Sequence, residues 1–211
     1  QHVADRADVG EVTRLAAVAV HGHRLPRDGR GHEGGHDRRD VVPDWEADVF
    51  EAINDQPDWL RWPLWFPMQF GNFWMCAAGA IGVYAATRRV RPALATAAAV
   101  ALAWGGAKVV KNVVERGRPA ELLGDVEVRE SGIHGQGYVS GHAAVAFAVA
   151  TVVATVVPRG WRWAPFAVAS GVALTRVYYG AHLPLDVVGG AGLGVVSGVT
   201  ASTAAGITWS R

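Results

Sequence analysis

From Leu64 to its end the chain is a series of apolar runs, mostly Ala, Val, Gly, Leu and Trp, joined by short charged connections. That feature narrows the available folds more than any other. A run of roughly 20 apolar residues can cross a bilayer as a helix, and fewer than about 17 is marginal. Five candidate spans can be drawn, over residues 64–87, 93–114, 143–157, 161–179 and 185–209. The third is short unless residues 139–141 extend it. Small residues recur in the last, GGAGLGVVSG, which suits close helix packing in lipid. The alternative is a soluble all-helical protein with unusually apolar helices, and several runs in series with short charged turns weigh against it. The expected fold class is all-α, a polytopic transmembrane helix bundle with five visible spans and a disordered N-terminal tail.

Residues 1–43 have the opposite character, rich in Gly, Arg, Asp and His, and bury too little apolar surface to order themselves. They are read as a flexible polar tail, whose His21, His23, His32 and His36 lack the regular spacing of a metal site. The first residue is Gln, so a fragment or a processed start is expected. Residues 44–62 place Trp45, Val49, Phe50 and Ile53 at roughly helical spacing with acidic residues between, followed by Trp59 and Trp62. An interfacial amphipathic helix is expected there, and a transmembrane core over 63–211. The single cysteine, Cys76, excludes an intramolecular disulfide and is read as packing. A formal net charge of +1 gives no sign of a bulk polyanion partner such as nucleic acid.

Arg88, Arg89 and Arg91, then Arg159 and Arg162, fall on one side of an alternating bundle, and the positive-inside rule makes that side cytoplasmic. Three polar clusters fall on the other. Lys111, Arg118 and Pro119 lie at the exit of the second span, Ser140, Gly141 and His142 at the entrance of the third. Arg176 leaves the fourth, and His182 and Asp186 enter the fifth. Span parity brings all three clusters to one face, so groups remote in sequence become partners.

The residue types suggest their chemistry. Lys111, Arg118 and Arg176 form a suitable clamp for phosphate oxygens. Ser140 and Gly141 start a helix, where free N–H groups and a hydroxyl can face an anion. Two histidines suggest divided labour, one nucleophile and one general acid. Asp186, four residues after His182, can hold the other imidazole N–H, and Pro184 fits the first turn of the last helix. Taken singly, each has a plain reading: a snorkelling lysine, a helix cap, an interfacial arginine, a loop histidine.

Together, Lys-x6-Arg-Pro, Ser-Gly-His and Arg-x5-His-x3-Asp resemble the three-part signature of the type 2 phosphatidic acid phosphatase superfamily, membrane lipid phosphatases related to vanadium haloperoxidases. The resemblance covers roughly residues 44–211. It implies that His182 is the nucleophile, forming a phosphohistidine, that Asp186 orients it, and that His142 protonates the leaving oxygen. It further implies that Lys111, Arg118, Arg176 and the Ser140–Gly141 turn bind the phosphoryl group, with no metal or other cofactor. Val139 stands where the family usually has proline and Thr175 where it usually has serine; neither change removes a charge or a nucleophile. Family members typically have six spans, one more than the five drawn. The expected activity is hydrolysis of a lipid phosphate or diphosphate (polyprenyl diphosphate, phosphatidate or phosphatidylglycerophosphate) at the outer face of a cytoplasmic membrane. A phosphotransferase with an alcohol acceptor and a non-catalytic lipid-binding module are the alternatives.

Overall fold

The computed structural model describes residues 42–72, 74–130 and 135–207; the tail histidines, His134, the end of the fifth candidate span and the Cys76 side chain lie outside the described residues. Every regular element among these residues is helical: α1 (Asp44–Asn54), α2 (Arg61–Met68), α3 (Met75–Thr87), α4 (Val90–Val114), α5 (Gly141–Val156), α6 (Ala164–Tyr178) and α7 (Pro184–Ala204), with a single turn at Pro119–Leu122.

Helix α5 is the axis of the bundle, packed by α7, α4 and α6, while α3 lies along α4. Small side chains permit this closeness. Ala95, Ala99 and Ala103 on α4 repeat every four residues and bury against Ala144, Ala148 and Val152 of α5. On α7 the seam is glycine. A Cβ at Gly190, Gly194 or Gly198 would collide with the Ser140 carbonyl, the Ala144 carbonyl or the Thr151 side chain. The small-residue run in the last candidate span therefore does what lipid-embedded packing asks of it.

At about 1.5 Å per residue, α4 and α7 reach roughly 37 and 31 Å, against a hydrocarbon core of about 30 Å. These are the two described helices long and apolar enough to cross a membrane. Both expose most of their apolar surface, with Leu94, Val109, Val113, Val188 and Val196 pointing outward. A soluble core helix would bury those side chains. Helices α3, α5 and α6 are apolar but shorter, with 13, 16 and 15 residues.

The first candidate span is not one helix. Residues 64–87 divide into the end of α2, a 3₁₀ turn at Gln69–Gly71, and α3. Pro67 removes a backbone donor, and Asn72 is extended (φ −77°, ψ 147°), so the helical hydrogen bonding stops. The fourth also starts later than its apolar run, because Arg159–Trp161 forms a 3₁₀ turn and Pro165 sits in the first turn of α6.

Helix α1 forms where its periodicity places it, but its faces divide differently. Phe50 is buried together with Glu46 and Asn54, one residue per turn, while Trp45 and Val49 stay exposed. Asn54 Nδ2 donates to the carbonyls of Glu127 and Tyr178, and its Oδ1 accepts from the Glu127 amide. Arg129 donates to the Asn54 and Tyr178 carbonyls and lies over the Tyr178 ring. Together they fasten the long α4–α5 connection to α1 and to the end of α6.

Candidate active site

The end of α4, the start of α5, the end of α6 and the start of α7 meet, as span parity requires. The turn from α6 to α7 is tight. Gly180 takes a left-handed conformation (φ 71°) beside the Glu127 carbonyl, where a side chain would clash. The Ala181 and His182 amides both donate to the Arg176 carbonyl, so Arg176 and His182 are held at the two ends of one short turn. Leu183 then caps α7, Pro184 begins it, and Asp186 is the third helical residue.

Asp186 is fully buried, and both its oxygens are engaged. Oδ2 accepts the Leu183 amide at 2.9 Å and lies 3.5 Å from His182 Nδ1. Oδ1 accepts from Arg116 Nη1 at 2.9 Å. His182 Nδ1 has no other partner among the described residues, so the 3.5 Å approach to Asp186 fixes which edge of the ring faces inward and leaves Nε2 as the outward nitrogen. Burial, more than any other effect, lowers the His182 pKa to about 4. The Asp186 carboxylate opposes that shift, and the charges of Arg176 and Lys111 add to it. His182 is therefore a neutral imidazole near pH 7.

The cations surround this ring. Lys111 Nζ donates to the Gln136 and Gly137 carbonyls at 2.7 and 3.1 Å. An ammonium has three donors, so one remains beyond these two. Arg118 holds the Gly135 and Ala181 carbonyls through Nε and Nη1, both at 2.8 Å. Arg176 is buried, with Nη1 3.0 Å from Met68 Sδ and 2.8 Å from a Glu130 oxygen. Its buried Nε takes no hydrogen-bond partner among the described residues. The charges of Arg176 and Lys111 bear on His142, the second residue of α5, and His182 is its titratable neighbour. Gly71 packs directly against His142, since a Cβ there would fall 2.7 Å from His142 Cβ and 2.9 Å from Cδ2.

Ser140 departs from its expected role in part. Its amide donates to the Asp186 carbonyl at 2.8 Å, and its hydroxyl accepts the Ala143 amide at 3.4 Å. The residue is thus a helix cap whose N–H is already engaged, which leaves the next amides, of Gly141 and His142, as the open donors of that helix end. Added atoms at Gly141 would meet nothing within 4 Å, so its backbone borders open space.

The structure accordingly gathers Lys111, Arg118, Ser140, Gly141, His142, Arg176, His182 and Asp186 at one end of the bundle. It adds two residues that motif reading passed over. Arg116 stands two positions before Arg118, within the first motif's span but not among its defining residues. Glu46 looked like the solvated side of α1. The available signal for Glu46 was its spacing, because it shares the 46–50–54 face with Phe50.

Beneath the cluster lies an apolar cavity of about 690 Å³ between α3, α5 and α6. Its lining includes Ala146, one turn below His142, and Val172, one turn before Arg176. Gly79 and Gly82 of α3 form part of its wall, and its far end is reached by Pro158 and Trp161.

Comparison with known proteins bears on the fold and the family. No curated protein matches the sequence. The crystal structure of Aquifex aeolicus LpxE is similar, with a TM-score of 0.68 and 25% sequence identity over 74% of this chain and 94% of that one. Residues 89–207, which run from the start of α4 past the end of α7, match the PAP2 superfamily, and the chain belongs to that family.

Proposed function

We propose that this PAP2 phosphatase removes a phosphate or diphosphate from a membrane lipid by way of a phosphohistidine on His182. The observation that carries the reading is a neutral, buried imidazole backed by a carboxylate, under the charges of Arg176 and Lys111, with Arg118 bonded to the adjoining Ala181 carbonyl and an apolar cavity one helical turn away. Nε2 of His182 attacks phosphorus in line, forming the N–P bond as the bond to the lipid oxygen breaks. The charges of Lys111, Arg118 and Arg176 offset the negative charge on the equatorial oxygens, and the Gly141 and His142 amides add donors from the helix end. His142, protonated once the bound phosphate offsets the surrounding cations, gives that proton to the departing lipid oxygen. It then takes one from water as the water oxygen bonds to phosphorus and the N–P bond breaks, releasing phosphate and restoring neutral His182.

Lipid specificity follows from the cavity. From Ala146 to Val157 it runs about 16 Å along α5, about the depth of one leaflet. A hydrocarbon chain lying there keeps its headgroup at His142 and Arg176. Polyprenyl diphosphate, phosphatidate and phosphatidylglycerophosphate all have this form. The arginines at residues 88, 89, 91, 159 and 162 lie at the opposite end of the bundle, so the site faces the extracytoplasmic side of a cytoplasmic membrane. Side-chain cations supply the charge stabilisation that a metal would otherwise give.

Phosphate release from these lipids in detergent tests the proposal. The His182→Ala variant is expected to lose all release, while the parent enzyme works unchanged in the presence of a chelator. Residual turnover by His182→Ala, or a parent enzyme silenced by chelation and restored by a divalent ion, would overturn it.

A further inference from the structure

Asp186 reaches His182 with one oxygen only; what holds the other is a buried chain of charges leading out of the reaction centre. Arg116 Nη1 bonds Asp186 Oδ1 at 2.9 Å, and the same nitrogen together with Nη2 grips Glu46, with Nη2–Oε2 at 2.7 Å and Nη1–Oε1 at 3.2 Å. Glu46 is wholly buried, as is Asp186, and Arg116 is nearly so. Glu46 Oε1 also accepts the amide of Leu185, in the first turn of the helix that carries Asp186. The Arg116 carbonyl accepts the Gly137 amide at 2.7 Å, and Gly137 in turn offers its own carbonyl to Lys111. Three remote segments therefore converge on one carboxylate.

We infer that Arg116 and Glu46 are positioning residues for the reaction proposed above, setting both the direction and the net charge of the Asp186 carboxylate behind His182. The direction follows from geometry. With Oδ1 pinned by Arg116 and Oδ2 by the Leu183 amide, the carboxylate cannot rotate, and Oδ2 stays aimed at Nδ1. Released from Arg116, it would be drawn toward Lys111, whose charge it already feels. The net charge follows from counting: two carboxylates and one guanidinium leave the chain at −1, where Asp186 and Arg116 alone would cancel. Glu46 thus keeps a negative field behind the imidazole as phosphorylation makes the ring positive. Buried ion pairs contribute little to stability relative to well-packed apolar side chains, so a positioning role accounts for this pair better than a purely stabilising one.

The charges bearing on His182 come from three helices, Asp186 on α7, Arg176 on α6 and Lys111 on α4, and His142 on α5 is the neighbouring titratable group. Against that fixed background the two substitutions act in opposite directions. Arg116→Gln removes a positive charge, strengthens the carboxylate's field, and raises the pH of the acid limb of kcat/KM. Glu46→Gln removes a negative charge and lowers it. In both, kcat falls about 10–100-fold, the range seen when groups orienting a reactive residue are removed, while KM stays within about twofold. Arg116→Lys keeps the charge and restores the position of the acid limb, but recovers only part of kcat because the two-pronged grip is lost.

The experiment is a pH–rate series on detergent-purified parent, Arg116→Gln, Glu46→Gln, Arg116→Lys and the Glu46→Gln/Arg116→Gln double variant, with thermal unfolding measured on each. Opposed shifts of the acid limb in folded single variants are the expected result. Parental kcat and pH profile in both single variants, or losses of kcat that track the folded fraction alone, would overturn the inference. Should the single variants fail to fold, the double variant decides: lowered kcat at unchanged KM sustains the positioning role, and parental kcat refutes it. His182→Ala serves as the separate control. If it retains activity, the phosphohistidine reading fails; if it is inactive while Arg116→Gln is fully active, only the positioning role fails.

Discussion

His182 shows how burial and charge divide the work at a single side chain. Its pKa of about 4 lies below the ordinary value of 6.5, so the folded protein favours the neutral ring. A depressed pKa contributes stability that is complete above about pH 6.5 and is lost as pH falls toward 4. Thermal unfolding in detergent should therefore fall over that window, and the fall should be smaller in His182→Asn, which cannot titrate. If His182 attacks as proposed, the same value places its acid limb in kcat/KM near pH 4, once the substrate's own ionisation is taken into account. A limb near pH 6.5 assigned to His182 would contradict the burial argument. Glu130 offers a second residue-scale prediction. Its carboxylate sits 2.8 Å from the Arg176 guanidinium, a partner that an incoming phosphate must share or displace. Glu130→Gln should lower KM severalfold with kcat little changed, measurable as saturation at lower substrate concentration.

Among the elements, the α5–α7 seam is the least forgiving. Gly194 lies against the Ala144 carbonyl, with Phe147 Cβ and the Ala148 amide close by, so one added methyl meets backbone with nowhere to move. Gly194→Ala should destabilise the bundle by about 1–3 kcal/mol, read as a lowered unfolding midpoint, and shift α7 together with the Asp186 it carries. The seam was legible in the sequence because glycine at every fourth position has a helical meaning. So were the apolar runs that become α4, α5, α6 and α7 and the polar clusters at their ends, since run length and alternating direction place them. The break in the first run was less legible. Pro67 stands in that run, but whether a proline kinks a helix or ends it depends on what the freed backbone finds nearby. Glu46 was hidden for a related reason. An acidic residue in an amphipathic pattern reads as solvated until a distant Arg116 is shown to face it.

For the molecule as a whole, the apolar cavity gives a test that leaves the chemistry untouched. Gly82 lies on its wall, and a side chain built there would meet nothing within 4 Å of its Cβ. Gly82→Leu should fold normally and fill part of the space. It should reduce turnover of long-chain lipid phosphates by about tenfold or more, while a short-chain soluble phosphate ester is hydrolysed as before; equal loss on both would show that the cavity holds no tail. The interruption at residues 69–72 also matters at this scale. Gly71 comes close enough to His142 that bare main chain forms the wall beside the imidazole, and a Cβ would already overlap it. A seamless helix through the first apolar run would have to keep its axis farther away, leaving a gap on that side of the ring. The discontinuity therefore gives the His142 ring a rigid backstop, and a family member that straightened this segment would need some other means of keeping its histidine from swinging aside.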